Sequence, residues 1–347
     1  MTEPTTPTSI GPAARRGPLR AGDRVQLTDA KGRMHTIQLR DDGHFHTHRG
    51  GIDHADIIGR PDGSVVRTAE DHEYLVLRPL LADYVMGMPR GAAIIYPKDS
   101  GQIVQMADIF SGAVVAEAGV GSGALAASLL NTIGVGGRLV SIERRADFAE
   151  IARANVRAWF GADHPAWEVH VGDLADVLPT VVADAGVDRV VLDMLAPWEN
   201  IDTVARALVP GGVVLAYVAT TTQLSRFVED LRANGGFTEP QAWETMLRTW
   251  HVEGLAVRPD HRMVGHTGFL VTARRLAPGT IPPQRVRRPA PGARAAAEEA
   301  APPTGEAWTP EALGERTTSE RKVRRVRRDL DARAAYDDAT TGGRDDA

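Results

Sequence analysis

From Ala113 to about Gly235 the sequence repeats one rhythm five times: a short apolar run, a turn, then a longer segment carrying an apolar stripe. The runs AVVAEAG, GRLVSIE, WEVHVGD, DRVVLDM and GGVVLAYV are near-continuous in apolar residues, as strands buried on both faces must be. Between and after them ALAASLLNTIG, ADFAEIARANVRAWF, LADVLPTVVADA, ENIDTVARALV and TTQLSRFVEDLRANG have helical spacing. Strand and helix alternating in this way predict an α/β fold with an open, doubly wound, mostly parallel sheet. TEPQAWETMLRTWHVEGLAVRP and HTGFLVTARRL then read as two further strands forming an antiparallel edge.

The flanks differ in character. Residues 1–18 are rich in Thr, Pro, Gly and Ala and are expected to be disordered. Residues 19–80 are short strand-like runs broken by glycine and Asp-Gly turns, which predicts a small, mostly β domain. Residues 81–277 hold a connecting region, with helical spacing over 99–110, and the α/β domain. Residues 278–347 are rich in Pro, Ala, Arg and Glu and are expected to be a disordered tail.

A chain of 347 residues, 43% hydrophobic, can bury a sizeable core. It has no cysteine, which removes disulfides, thiolate nucleophiles and cysteine-based zinc sites and fits a cytoplasmic location. The N-terminus lacks a hydrophobic signal core, and no apolar run approaches the ~18 residues that span a bilayer. A formal net charge of −5 gives no global signal for nucleic acid, so any basic surface is a local patch.

In an open α/β sheet the ligand lies at the carboxyl ends of the strands. After strand one, EAGVGSGALA offers Gly119, Gly121 and Gly123 for a tight turn with close backbone approach, followed by free helix N–H groups. Gly119, Gly121 and Ala124 also satisfy G-x-G-x-x-A, which keeps a nicotinamide or flavin enzyme in play here. Glu143 ends strand two, where an acid can accept from a ribose diol. Asp173 ends strand three, placed to accept from an adenine amino group. Asp193 ends strand four in VVLDMLAPWEN, with Pro197 and Trp198 close behind. A glycine turn followed by acids on strands two, three and four is the order of class I adenosylmethionine-dependent methyltransferases. A dinucleotide enzyme has no comparable need for the last two acids, and a non-catalytic RNA-binding module has no need of the donor-side set.

YPKDSGQIV, EAGVGSGAL, LDMLAPWE, AYVATTTQL and VGHTGFLVTARR resemble, in order and spacing, the tRNA (adenine-58-N1)-methyltransferases of actinobacterial type, from about Gly17 to Pro278. That resemblance implies a small β domain joined to a class I methyltransferase domain, S-adenosyl-L-methionine as cofactor, and a homotetramer. It also implies methylation of N1 of adenine 58 in the tRNA T-loop; some archaeal relatives also modify the neighbouring adenine. Carried over residue by residue, it assigns cofactor contacts to Gln102, Gly119, Gly121, Ser122, Gly123, Ala124, Leu125, Glu143, Asp173 and Asp193, and catalytic roles to Asp193 and Tyr217. Pro197 and Trp198 are expected to shape the base pocket.

Two further features stand apart. His44, His46 and His48 alternate along one strand with His54 following, which invites a metal; the chemistry needs none, and solvated or RNA-facing histidines are the plainer reading. RKVRRVRR, residues 321–328, has six basic side chains in eight positions and suits either tRNA phosphates or a solvated helix.

Overall fold

The alternating short strands of the N-terminal region fold as antiparallel pairs in the computed structural model, which describes residues 11–283. Strands β1 (Arg24–Asp29), β2 (Met34–Gln38), β3 (His44–Thr47), β4 (Gly50–Asp53), β5 (Ser64–Arg67) and β6 (Glu73–Leu77) form a four-stranded sheet of order β2-β1-β6-β5 and a separate β3-β4 hairpin. Val25, Leu27, Tyr74 and Val76 of the sheet and Ile52 of the hairpin belong to one core, the alternation along β6 putting one of its faces inward. Arg78 ties the unit's start to its end, donating to the carbonyls of Gly17 and Pro18 and pairing with Asp23 at 2.6 Å.

Order begins earlier than Leu19. A short 3-10 turn spans Gly11–Ala13, and Arg15 donates to the Trp159 carbonyl at 2.8 Å with its guanidinium 4.1 Å from the indole centroid. A Pro, Gly and Ala composition suggests disorder, but it does not register one arginine anchored on a helix 144 residues away. Residues 1–10, and all of the tail beyond residue 283 including RKVRRVRR, lie outside the described residues.

Helices α1 (Leu81–Gly87) and α2 (Pro97–Met106) lead into the second unit. Helix α2 starts two residues before the sequence spacing suggests, because Pro97 at its first position has the helical φ preset and no N–H to lose. The five expected pairs follow: β7 (Val114–Ala118), α3 (Ala124–Ile133), β8 (Arg138–Glu143), α4 (Ala146–Phe160), β9 (Trp167–Val171), α5 (Leu174–Val181), β10 (Val187–Leu192), α6 (Ile201–Ala207), β11 (Leu208–Val218) and α7 (Thr221–Asn234). Then come β12 (Gln241–Trp243), β13 (Trp250–Glu253), β14 (Ala256–Pro259) and β15 (Phe269–Arg274).

The large sheet has the order β12-β15-β11-β10-β7-β8-β9, parallel except for β15, which runs antiparallel to both β11 and β12. The expected antiparallel edge is β12 with β15; between them the chain makes a separate β13-β14 hairpin. Buried side chains alternate along each strand between two cores: Val115, Val191 and Leu215 point to the α2, α3 and α4 side, while Ala116, Val190 and Val214 point to the α5, α6 and α7 side. The order reverses at β7, and the crevice at that switch is where such sheets take ligands. Among the described residues no helix is long and apolar enough to cross a membrane.

Candidate active site

The turn leaving β7 runs along the exits of β8 and β10. Gly119 has φ +88°, and a Cβ there would lie 1.8 Å from the Asp193 carbonyl oxygen. Asp193 N–H donates to the Ala118 carbonyl at 2.8 Å, so the exit of β10 is laid directly against the turn. At Gly123, φ +83°, a Cβ would stand 3.1 Å from Ala152 Cα on α4, which lets α3 and α4 pack closely. Ser122, Ala124 and Leu125 are buried, and the last two open α3, where first-turn N–H groups lack helical partners. Asn155, buried on α4, donates to the carbonyls of Ser122 at 2.9 Å and Pro89 at 2.8 Å, fixing the turn from behind.

Glu143 holds the turn from the side. One carboxylate oxygen accepts from Gly121 N–H at 3.0 Å and the other from Arg145 N–H at 3.1 Å. A carboxylate offers about four lone-pair sites, so two stay open for hydroxyl donors.

Beneath the turn lies an acid that strand reading passes over. Glu117, mid-strand on β7, is fully buried; it accepts from Ser141 Oγ at 2.6 Å, and Trp167 Nε1 donates to that hydroxyl at 2.9 Å. Burial pushes its pKa up to about 8, against the Ser141 hydrogen bond and with help from the charges of Asp193 and Glu143. Its signal in the sequence was one carboxylate inside an otherwise apolar VVAEAG. At Asp193, burial first and the Glu143 carboxylate second raise the pKa to about 7. Glu117, Glu143 and Asp193 thus converge from neighbouring strands; Glu117 holds its proton at neutral pH, so the charge that favours a cation comes from the Glu143 carboxylate and from Asp193 as it ionises.

Beside the turn a cavity of about 430 Å³ opens between the exits of β10 and β11. Asp193, Met194 and Leu195 form one wall, Tyr217, Val218 and Ala219 another, with Ala93, Ile94, Tyr96, Gln223 and Thr267 completing it. Burial raises the Tyr217 hydroxyl to about 12, opposed by a hydrogen bond with Thr267, while Asp99, Asp193 and Tyr96 add to the rise. The neutral phenol therefore persists across the physiological range.

The structure brings Asp193 and Tyr217 to one cavity and gathers the glycine turn, Glu143 and Asp193 around one crevice. Asp173 stands at the start of α5, exposed and paired with Arg144 at 2.7 Å. Gln102 sits half-buried on α2 and is not among the residues lining the cavity. The expectation for Trp198 is corrected. The Pro197–Asn200 segment is a 3-10 turn, with Trp198 packed into the α5, α6 and α7 core under the Arg226 guanidinium, and Met194 and Leu195 take the cavity wall instead. Lys98, Asp99, Thr267 and Gly268 stand within YPKDSGQIV and VGHTGFLVTARR, but sequence alone assigns them no role, since their partners are distant in the chain. His44 pairs with Asp53 at 2.6 Å and lies with its ring centroid 4.1 Å from that of His46, the two rings tilted; among the described residues no group of three or more His, Asp or Glu side chains is arranged to hold a metal.

This strand order, with a glycine turn after the first parallel strand and acids at the exits of the next ones, defines a class I adenosylmethionine-dependent methyltransferase. A solved adenosylmethionine-dependent O-methyltransferase from Thermotoga maritima superposes with a TM-score of 0.70 at 32% identity, covering 76% of this chain and 96% of its own. Residues 17–66 match the TrmI-like N-terminal family, and residues 74–257 match the family described as tRNA methyltransferase complex GCD14 subunit. The tRNA (adenine(58)-N(1))-methyltransferase TrmI of Thermus thermophilus is 34% identical over 249 residues, 72% of this chain and 95% of the relative. The tRNA (adenine(57)-N(1)/adenine(58)-N(1))-methyltransferase of Methanocaldococcus jannaschii is 29% identical over 76% of this chain and 96% of its own. The chain belongs to the TrmI-type tRNA (adenine-58-N1)-methyltransferase family.

Proposed function

We infer that this protein methylates N1 of adenine 58 in the T-loop of tRNA, with S-adenosyl-L-methionine as donor. The observation that carries the reading is the cavity in which Asp193 and Tyr217 meet, beside the glycine turn against which the Asp193 backbone is laid.

The residues fit the donor. Ser122 Oγ is buried without a protein partner at the turn, Glu143 keeps lone pairs free, and the Glu143 and Asp193 carboxylates converge where a cationic sulfur is to be accommodated. Gly119, Gly121, Ser122, Gly123, Ala124 and Leu125 would hold the amino-acid end, Glu143 the ribose, Asp173 the adenine edge once released from Arg144, with Gln102 and Asp193 completing the set. When bound, adenosylmethionine supplies an electrophilic methyl group on a sulfonium.

Adenine N1 presents an in-plane lone pair and no proton, so the chain needs no general base. It must position the base, exclude water and offset the positive charge that alkylation places on the ring. Ionised Asp193 meets the last need. Tyr217, Tyr96, Met194 and Leu195 give the cavity aromatic and apolar walls, suited to a base withdrawn from the folded T-loop.

The family resemblance adds a cytoplasmic homotetramer, and a division into a β domain through residue 80 and a transferase domain over 81–277. Calorimetry tests the donor assignment: adenosylmethionine binds and NAD does not, and the reverse result removes it. Single-turnover methylation by Asp193→Ala at near-wild-type rate, with donor affinity unchanged, removes the role of Asp193.

A further inference from the structure

Lys98 and Asp99 stand in the first turn of α2 as an ion pair at 2.8 Å, their side chains 5% and 0% exposed. Every ammonium proton has an acceptor: Asp99 Oδ1, the Thr245 carbonyl at 2.7 Å and Thr267 Oγ1 at 2.6 Å. The carboxylate is satisfied in turn, Oδ1 accepting from the Thr245 hydroxyl and Oδ2 from the Thr267 hydroxyl, each at 2.6 Å. A buried pair of this kind adds little net stability, because desolvation offsets the attraction. What a fully bonded network does fix is geometry.

The geometry fixed here is that of the cavity wall. Residues 246–266 leave and return between Thr245 and Thr267, so the pair clamps both stems of one excursion. The neighbouring Glu244–His266 contact at 2.8 Å repeats the tie, and His266 Nε2 lies 3.2 Å from the Ala219 carbonyl oxygen. Thr267 lines the cavity together with Tyr217. At Gly268 a Cβ would stand 2.3 Å from Tyr217 Cζ, so this backbone is laid against the ring itself.

We infer that Lys98 and Asp99 are positioning residues of the acceptor pocket: through Thr267 they hold Tyr217 and the adjoining wall in register with Asp193, setting the transfer rate and not the donor affinity. The inference rests on the reading that this cavity receives the base. A structural role alone would change folding, or donor and acceptor binding together. A positioning role changes kcat alone.

The experiment compares wild type, K98M/D99L, T267V and T267S for melting temperature, adenosylmethionine affinity, and kcat and KM on unmodified tRNA. The double variant removes both charges and leaves neither unpaired. Expected for it and for T267V is a kcat at least tenfold lower, with donor affinity and tRNA KM within threefold of wild type. T267S, which keeps the hydroxyl, restores kcat to within threefold. If folded K98M/D99L or T267V retains wild-type kcat, or if donor affinity falls in parallel, the inference is overturned. Should the double variant fail to fold, T267V against T267S decides. A wild type unable to methylate tRNA removes the functional reading and this inference together, whereas an active wild type with unaffected variants removes the inference alone.

Discussion

The carbonyl oxygen of Asp193 occupies the place that a side chain on Gly119 would need, 1.8 Å from an ideal Cβ. The glycine turn and the cavity wall are therefore in backbone contact, and neither can shift without the other. Gly119→Ala combines that overlap with a left-handed φ, so a loss of more than about 2 kcal/mol of stability is expected, with donor binding abolished. Gly136→Ala is the control: nothing lies within 4 Å of its Cβ position. Urea unfolding and calorimetry of both variants check this, and a G119A variant that binds donor like wild type contradicts it.

Glu117 links the site to stability. A carboxyl whose pKa is raised on folding holds a proton that the unfolded chain has already released, so rising pH favours unfolding between the two values. For Glu117 that window runs from 4.5 to about 8. Its share is about 1.4 kcal/mol per pH unit within the window. Unfolding of the donor-free protein at pH 5, 6.5 and 8 is expected to show a steeper decline for wild type than for Glu117→Gln. Equal slopes would mean that Glu117 is ionised in the fold.

On the role proposed for Asp193, activity is expected to change in the same range. With its pKa at about 7 in the free protein, the carboxylate forms as pH rises through neutrality. The dependence of kcat/KM on pH reports groups of the free enzyme. Below pH 7 it is expected to fall about tenfold per unit, and Asp193→Asn is expected to lose at least about a hundredfold at pH 8. A flat wild-type profile between pH 5.5 and 8 would remove the ionised Asp193 from the account.

The parts legible in the sequence were those written in short-range pattern. The five βα pairs showed because strands such as VVLAYV are buried on both faces, and helix ADFAEIARANVRAWF matches α4 residue for residue. The glycine turn showed because tight turns restrict residue type locally. The remainder depends on contacts far apart in the chain. Asp99 meets Thr245 and Thr267 across 146 and 168 residues, and no spacing rule joins them. Trp198 was misplaced for a related reason: proximity to Asp193 in sequence says nothing of which side of the sheet an indole will choose, and the apolar core of α5, α6 and α7 claimed it.

The cavity shared by Asp193 and Tyr217 is proposed to deliver methyl groups to one ring nitrogen of one nucleotide. Incubating the protein with unmodified tRNA and labelled adenosylmethionine, then mapping the product by nuclease digestion and mass spectrometry, tests it most directly. The expected result is N1-methyladenosine at position 58, about one methyl group per tRNA, lost when that adenine is replaced by guanine. Label on an exocyclic amino group, at another position only, or absent from tRNA would contradict it.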